Sequence, residues 1–177
     1  MAKQQWAVDL SHSELGFKIR HLMITNVSGK FLNFTVDAET EEDDFMTAKV
    51  TATVDVDSIS TGSQDRDKHL RSPDFFDVNT YRNITFVATK YENIDNDGSY
   101  ELHGDLTIRD VTKNIKLSVE FGGVVKDPWG NTKAGFTING KINRKDFGLT
   151  WNAATETGGV MVSDEVKINA EVQLIKK

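Results

Sequence analysis

Histidine and carboxylate side chains are the groups of this sequence that could bind a metal ion or transfer protons. The chain contains four histidines and no cysteine, and the histidines are His12, His21, His69 and His103. No two of them are four residues apart, and no carboxylates accompany them at the spacing of a known metal-binding motif. The spacing therefore predicts no metal site, and we interpret the histidines as polar caps and hydrogen-bonded structural residues.

Motifs for catalysis and for cofactor binding are missing from the sequence. It contains neither a Gly-x-Ser-x-Gly nucleophile elbow nor a glycine-rich loop that could hold phosphates. The acidic segment 95–98 resembles the start of a calcium loop, but Tyr100 and Leu106 occupy the positions that require glycine and glutamate. We therefore expect a non-catalytic protein that requires no cofactor, and we interpret residues 95–98 as a hairpin turn.

Two groups of polar residues are candidates for contact with a ligand. Arg66, Asp67 and His69 lie in one segment, and Arg144 and Asp146 lie near the C-terminus. They could form a ring of hydrogen bonds around a ligand head group. Alternatively, they form pairs that attach their segments to the rest of the fold, and this second interpretation is the one we favour.

Alternation of apolar and polar residues indicates which elements position these side chains. Side chains of a β-strand point to opposite faces in turn, so each alternating run predicts a strand with one apolar face. Turn residues at 95–98, 109–110 and 127–131 separate successive runs, which favours neighbouring antiparallel strands. Eight such runs predict an all-β fold, an eight-stranded antiparallel β-barrel. The apolar residues of the runs are Leu15/Phe17/Ile19, Leu32/Phe34/Val36, Val50/Ala52/Val54/Val56, Ile84/Phe86/Ala88, Leu102/Gly104/Leu106/Ile108, Ile115/Leu117/Val119/Phe121, Ala134/Phe136/Ile138/Gly140/Ile142 and Val166/Ile168/Ala170/Val172/Leu174.

The segment 58–80 interrupts this pattern and predicts a short helical insertion. Ser63 is a candidate N-cap for a helix over residues 64–71, and the Ser-Pro pair at 72–73 ends it. We expect the insertion to cover one end of the barrel with Leu70, Phe75 and Phe76.

Three further segments have less regular patterns. Residues 39–44 are too acidic to bury and predict a solvated loop before the third run. Trp6 with Val8, and Val160 with Val162, could form short additional strands or extend neighbouring ones.

Small residues on the apolar face predict a hollow interior. An eight-stranded barrel either fills its lumen with side chains or holds one small ligand. We expect an apolar cavity and an apolar ligand; alternatively, the small residues face large ones across the barrel, or the glycines mark bends. The small residues are Ala52, Ala88, Gly104, Ala134, Gly140 and Ala170. The residues that we expect to line the lumen are Phe17, Ile19, Phe34, Val54, Phe86, Ala88, Gly104, Leu106, Leu117, Val119, Ala134, Phe136, Ile138, Ile168 and Ala170.

Length and charge restrict the partners. The 177 residues fit one domain over residues 1–177, and the net charge of −6 disfavours nucleic acid or an anionic membrane surface as the main partner. No apolar stretch approaches the ~20 residues of a transmembrane helix, and the first residues lack the apolar part of a signal peptide. As written, the sequence predicts a cytoplasmic protein, or a periplasmic one if an export signal has been removed.

An ordered series of short motifs runs along the chain. It includes His12-Ser13, Arg-Asp-Lys-His-Leu at 66–70, Asp-Phe-Phe-Asp at 74–77, Gly-Asp-Leu-Thr-Ile at 104–108 and Asn-Arg-Lys-Asp-Phe-Gly-Leu at 143–149. In this order the motifs resemble the YceI-like family, lipocalin-like barrels implicated in polyisoprenoid binding, from about residue 6 to the C-terminus. The resemblance implies an elongated barrel whose lumen takes the isoprenoid chain of a quinone or polyprenyl lipid, and it favours binding over catalysis.

The predicted function is therefore binding, storage or transport of a long apolar ligand inside the barrel. The candidates for the barrel mouth and its lid are His21, Arg66, His69, Leu70, Phe75, Phe76, Arg144 and Phe147. Two alternatives stay open: an enzyme that uses His21, His69 or Arg66 on a lipid in the lumen, and a protein-interaction or stress-response module without a ligand. A homodimer stays open as well.

Overall fold

A computed structural model describes residues 2–22, 24–152 and 162–177, and the extension predicted at Val160 lies outside them. These residues form eleven β-strands, one α-helix and three short 3₁₀ helices. The strands and the α-helix are β1 (Lys3–Val8), β2 (Glu14–His21), β3 (Thr25–Phe31), β4 (Phe34–Glu41), β5 (Asp44–Asp55), β6 (Ile59–Ser60), α1 (Gln64–Arg71), β7 (Asn83–Glu92), β8 (Ser99–Ile108), β9 (Val111–Lys126), β10 (Thr132–Asn143) and β11 (Val162–Lys176). The 3₁₀ helices are Leu10–His12, Val56–Ser58 and Arg144–Phe147.

The strands pair antiparallel and close into a barrel of eight strand positions. Three positions are each occupied by two consecutive strands, β1 with β2, β3 with β4, and β5 with β6. Strand β11 pairs with β1, where Val8 lies opposite Leu174, and with β2, where Ile19 lies opposite Val166. This double pairing closes the sheet and confirms the predicted all-β barrel.

Strand β3 and its surroundings differ from the prediction. The run that begins at Leu32 predicted that this side chain points inward. In the structure, Leu32 lies between β3 and β4 and is 56% exposed. The predicted run from Leu32 corresponds to β4, which begins only at Phe34, and β3 (Thr25–Phe31) is a strand that the alternating runs did not include. The acidic segment 39–44 is also mostly strand rather than loop, because β4 continues to Glu41 and β5 begins at Asp44.

The turns and the helix follow local sequence signals. Residues 95–98, 109–110 and 127–131 connect β7 to β8, β8 to β9, and β9 to β10, as predicted. Helix α1 has the predicted bounds: the Ser63 hydroxyl accepts a hydrogen bond from the backbone N–H of Arg66, and Ser72 is the C-cap. Among the described residues, no helix has the length and apolar character that crossing a bilayer requires.

The core consists of two clusters at opposite ends of the barrel. The first, here called the closed-end cluster, packs Trp6 against Phe45 with ring centroids 4.9 Å apart, and Phe45 against Phe136 at 5.0 Å. Trp6 is only 1% exposed, and its indole N–H donates to the Thr40 hydroxyl at 2.9 Å. The second, the mouth-end cluster, includes Phe34, Val56, Leu106 and Phe147 and lies near α1.

Replacing Trp6 by alanine is expected to lower the free energy of unfolding by about 3–5 kcal/mol, because it leaves a void at the closed end. Urea denaturation followed by circular dichroism measures the change. Trp129, 83% exposed at the β9–β10 turn, offers the control: Trp129→Ala should shift the free energy by less than about 0.5 kcal/mol. Equal losses in the two variants would contradict the structural role of Trp6.

Candidate functional site

A cavity of about 420 Å³ runs between the two core clusters. This volume lies within the range of roughly 300–1,000 Å³ that small-molecule pockets occupy. Strands β2 to β5 and β7 to β11 all contribute to its wall, which is almost entirely apolar. Buried Phe45 and Phe136 bound one end, whereas exposed Arg20 and Arg66 line the other. The cavity therefore reaches the surface at the α1 end, here called the mouth.

Most residues predicted for the lumen lie on this wall. Their inward direction follows from the strand period, because β8 alternates strictly between buried and half-buried residues along its whole length. The predicted residues found on the wall are Phe17, Ile19, Phe34, Val54, Phe86, Leu106, Leu117, Val119, Phe136, Ile138, Ile168 and Ala170. Their contact with a ligand stays a prediction.

Three predicted lumen residues, Ala88, Gly104 and Ala134, lie off the cavity wall. A Cβ atom on Gly104 would lie 2.3 Å from Cζ of Phe86, so this glycine makes room for a neighbouring ring. Ala134 is fully buried in the closed-end cluster. The prediction that these small residues enlarge the lumen is therefore wrong.

Gly140 also leaves room for a large neighbouring side chain, because a Cβ atom on it would lie 2.5 Å from Cδ2 of Leu117. Ala52 and Ala170, in contrast, do line the cavity. At both glycines the small residue makes room for a large side chain of the adjacent paired strand, not for one across the barrel as the alternative had it. The alternative does not hold at the two alanines.

The empty space also shows in the exposure of the wall. Phe17, Phe86, Ile138 and Ile168 point inward but are only partly buried, although they pack against the core clusters. Apolar side chains inside a filled barrel would be fully enclosed, since protein interiors pack as densely as organic crystals. The partial exposure indicates that the centre of the barrel is hollow.

An aromatic group borders the mouth. The His69 ring lies edge-on to Trp151 at 4.7 Å and to Phe75 at 5.1 Å, and its Nε2 lies 2.9 Å from Oδ2 of Asp74. Phe76 packs on Phe31 with ring centroids 6.2 Å apart. The predicted lid residues His69, Leu70, Phe75 and Phe76, together with His21, all line the cavity.

Arg66 and Asp67 attach α1 to the end of β6. The Arg66 side chain donates to the Thr61 hydroxyl at 2.8 Å and to the Thr61 carbonyl at 2.7 Å. The Asp67 carboxylate accepts from the Thr61 backbone N–H at 2.9 Å and from its hydroxyl. This is the attachment role that we favoured for the polar groups, although Arg66 also borders the cavity.

Arg144, which also lines the cavity, attaches the last loop to the barrel in a similar way. Its guanidinium donates to the carbonyls of Leu149 at 2.6 Å, Trp151 at 2.8 Å and Ser163 at 2.8 Å. Burial lowers the pKa of Arg144, and the nearby Asp164 carboxylate opposes that shift. The side chain thus holds Trp151 at the mouth by connecting its backbone to β11.

Two other predicted residues of this region lie away from the cavity. Phe147 is 1% exposed inside the mouth-end cluster, so its assignment to the mouth is wrong; it supports the wall from behind. Asp146 is exposed in the last 3₁₀ helix.

Two tyrosines that the sequence analysis missed line the cavity near the closed end. The Tyr91 hydroxyl donates to the Ala48 carbonyl at 2.8 Å, and the two rings lie 5.6 Å apart. Burial raises the pKa of Tyr91 to about 12, and burial, aided by Tyr91, raises the pKa of Tyr100 further. Both are neutral hydroxyls near pH 7.

Tyr91 reaches the lumen because of a β-bulge. Ala88 lies opposite Gly104, but Lys90 lies opposite His103, so Thr89 is an extra residue in β7. The insertion reverses the faces that follow it and turns Tyr91 inward. The sequence carries no clear signal for this bulge, whereas Tyr100 could have been found by extending the alternation of β8 by two residues.

Arg20, Thr61 and Trp151 were also missed and line the mouth. Trp151 follows the Phe-Gly-Leu end of the last sequence motif by two residues, which is the signal that could have included it.

Comparisons with known proteins agree with this geometry. The model of the YceI-like domain matches residues 6–174. The chain belongs to the YceI-like family. A UPF0312 protein of Staphylococcus aureus is 41% identical to it over 166 residues, which cover 93% of this chain and 94% of that protein.

Solved structures extend the comparison to the fold. The Campylobacter jejuni YCEI protein superposes on this YceI-like chain with a TM-score of 0.75 and 39% identity, covering 96% of each chain. A polyisoprenoid binding domain from Saccharophagus degradans has a TM-score of 0.65 at 14% identity and covers 97% of this chain and 98% of its own. At that identity the second likeness shows the fold alone.

Adding a methyl group at Gly104 is expected to destabilise the barrel rather than fill the cavity. Gly104→Ala would place Cβ 2.3 Å from the Phe86 ring and 2.8 Å from the Val87 carbonyl oxygen, at a cost of about 1–3 kcal/mol. Thermal and urea unfolding measure the loss. Gly135, a β10 glycine whose Cβ would meet nothing within 4 Å, is the control, and Gly135→Ala should be tolerated. If Gly104→Ala were equally stable, the packing assigned to Phe86 would be wrong.

Proposed function

We propose that this YceI-like protein binds one isoprenoid chain inside its barrel, holds the polar head group at the mouth, and leaves the ligand chemically unchanged. The observation that carries the proposal is the apolar cavity of about 420 Å³, which is bordered by cationic side chains at the α1 end. An apolar chain gains free energy on leaving water for such a wall. A ligand with one long apolar part and one small polar part fits both regions.

The mouth favours a head group that accepts hydrogen bonds. Arg20, His21, Arg66 and His69 line the cavity at this end, and arginine side chains only donate. A quinone carbonyl or a phosphate oxygen supplies the matching acceptor. The closed end has no comparable cationic group on the described wall, since its polar groups there are the hydroxyls of Tyr91 and Tyr100. We infer that the ligand enters the barrel with its apolar tail first.

Chain burial dominates the expected affinity. Each buried methylene-sized group contributes about 0.8 kcal/mol before the costs of association, whereas one head-group hydrogen bond nets about 1 kcal/mol. Two observations support an isoprenoid as the apolar part of the ligand: membership of the YceI-like family, and the fold shared with a domain named for polyisoprenoid binding. Storage or transport follows from reversible binding of this kind.

Filling the lumen is expected to abolish uptake while preserving the fold. Ala52 and Ala170 line the cavity, so the double variant Ala52→Leu/Ala170→Leu should take up at least tenfold less of a polyprenyl quinone with four isoprene units. Incubation with this quinone, solvent extraction and mass spectrometry measure the bound amount and show whether its mass has changed. Circular dichroism verifies the fold.

The matched control for this experiment is Ala7→Leu, because Ala7 follows the inward Trp6 and lies on the outer face of β1. The Ala7→Leu variant should take up as much of the quinone as the unaltered protein does. Full uptake by the folded double variant would exclude the lumen as the binding site, and recovery of a chemically altered quinone would favour the enzymatic alternative.

Affinity should rise steeply with chain length and only weakly with head-group identity. Adding one five-carbon unit contributes up to about 4 kcal/mol before ordering costs, so the Kd should fall at least tenfold per unit until the lumen is full. Exchanging a quinone for an alcohol head group should change the Kd by less than about tenfold. Isothermal titration calorimetry with a series of chain lengths measures both. A Kd that depends on the head group and not on chain length would contradict binding in the lumen.

A further inference from the structure

Three potential metal ligands meet on the outside of the barrel, on the strands β7 and β8. Glu92, Glu101 and His103 each offer a potential donor atom, and the three atoms lie within 4.8 Å of one another. We propose that these three side chains bind a divalent metal ion of the Zn²⁺ type, with water as a fourth ligand. The site is separate from the cavity, since these residues face outward, and it does not depend on the proposed lipid binding.

The two distances from the His103 nitrogen to the carboxylate oxygens fit a tetrahedral site. The His103 nitrogen lies 3.3 Å from the Glu92 oxygen and 3.5 Å from the Glu101 oxygen. Zinc bonds to imidazole nitrogen and carboxylate oxygen are about 2.0–2.2 Å long, so the corners of a tetrahedral site lie roughly 3.3–3.5 Å apart. An octahedral ion at the same bond lengths brings neighbouring ligands closer, to about 3 Å. The observed separations favour the tetrahedral ion.

The histidine nitrogen makes no well-aligned hydrogen bond among the described residues, and its polar neighbours are the two carboxylates at ion-pair distance. Nε2 of His103 is buried, and within the described residues neither neighbouring carboxylate satisfies hydrogen-bond geometry with it. A buried polar atom without a partner costs free energy, and a bound ion is one of the explanations for such an atom. Coordination of a metal through its lone pair removes this cost.

The lysines beside the cluster leave the converging oxygens available. Lys90 Nζ lies 2.7 Å from Oε1 of Glu92, and Lys116 Nζ lies 4.0 Å from Oε1 of Glu101. Each lysine therefore contacts the carboxylate oxygen that is directed away from His103.

The β-bulge in β7 assembles this cluster. Glu101 and His103 are two residues apart on β8 and share its outer face. Because Thr89 is an extra residue, Glu92 lies directly opposite Glu101, and its side chain turns outward with them. A regular β7 would direct Glu92 into the lumen. The sequence analysis missed the site because its third ligand comes from a neighbouring strand.

Zinc binding is tested by isothermal titration calorimetry with ZnCl₂ and by visible absorption with CoCl₂, because tetrahedral Co²⁺ absorbs far more strongly than octahedral Co²⁺. We expect one Zn²⁺ per chain and an intense Co²⁺ spectrum. Glu92→Gln, Glu101→Gln and His103→Gln should each weaken Zn²⁺ binding at least about tenfold, since losing even an outer-shell partner costs 10–100-fold. Added Zn²⁺ should raise the melting temperature of the unaltered protein, because it binds the folded state.

The matched control is His12→Gln. His12 is a surface histidine beside Asp9, at 2.7 Å, on another part of the barrel, so this variant should bind Zn²⁺ with unchanged affinity. Circular dichroism verifies the fold of every variant. The proposal is overturned if the unaltered protein binds no Zn²⁺, if the three variants bind it as tightly as the control does, or if bound Co²⁺ has the weak spectrum of an octahedral ion.

Discussion

The pairing of β11 with both β1 and β2 is the constraint on which the rest of this structure depends. Without it, the first and last strands would be two open edges with unpaired backbone groups. Closure turns one face of every strand inward, so that the alternating apolar residues form a single continuous wall. Eight strands enclose an interior that side chains can only just fill, and here the core clusters leave between them a cavity that reaches the surface at the mouth.

The two ends of the barrel differ in the chemistry of their side chains. The closed end is packed by aromatic rings around Trp6, whose indole N–H is satisfied by Thr40. The mouth is bordered by charged groups, and most of their hydrogen bonds go to the backbone of the insertion or of the last loop. This polarity along one axis is what orients an amphipathic ligand in the proposed function, with its apolar tail innermost.

A single extra residue in β7 links the inside and the outside of the barrel. The bulge at Thr89 reverses the faces of the residues that follow, so Tyr91 lines the lumen and Glu92 joins the outer cluster with His103. Bulges concentrate beside functional sites because they change the direction of a side chain without breaking the sheet. Here one backbone irregularity shapes both the cavity and the proposed metal site.

Much of this protein was predictable from the sequence by itself. The strand period determined the faces of Phe17, Leu117 and Ile168, the turn residues determined where hairpins form, and the Ser63 cap determined the start of α1. These features depend on residues close together in the chain. Only the tertiary structure decided that Gly104 accommodates the Phe86 ring, that Leu32 lies outside, and that Glu92 meets His103. Each of these depends on the register between neighbouring strands or on a break in their pairing, and a shift of one residue reverses every face beyond it.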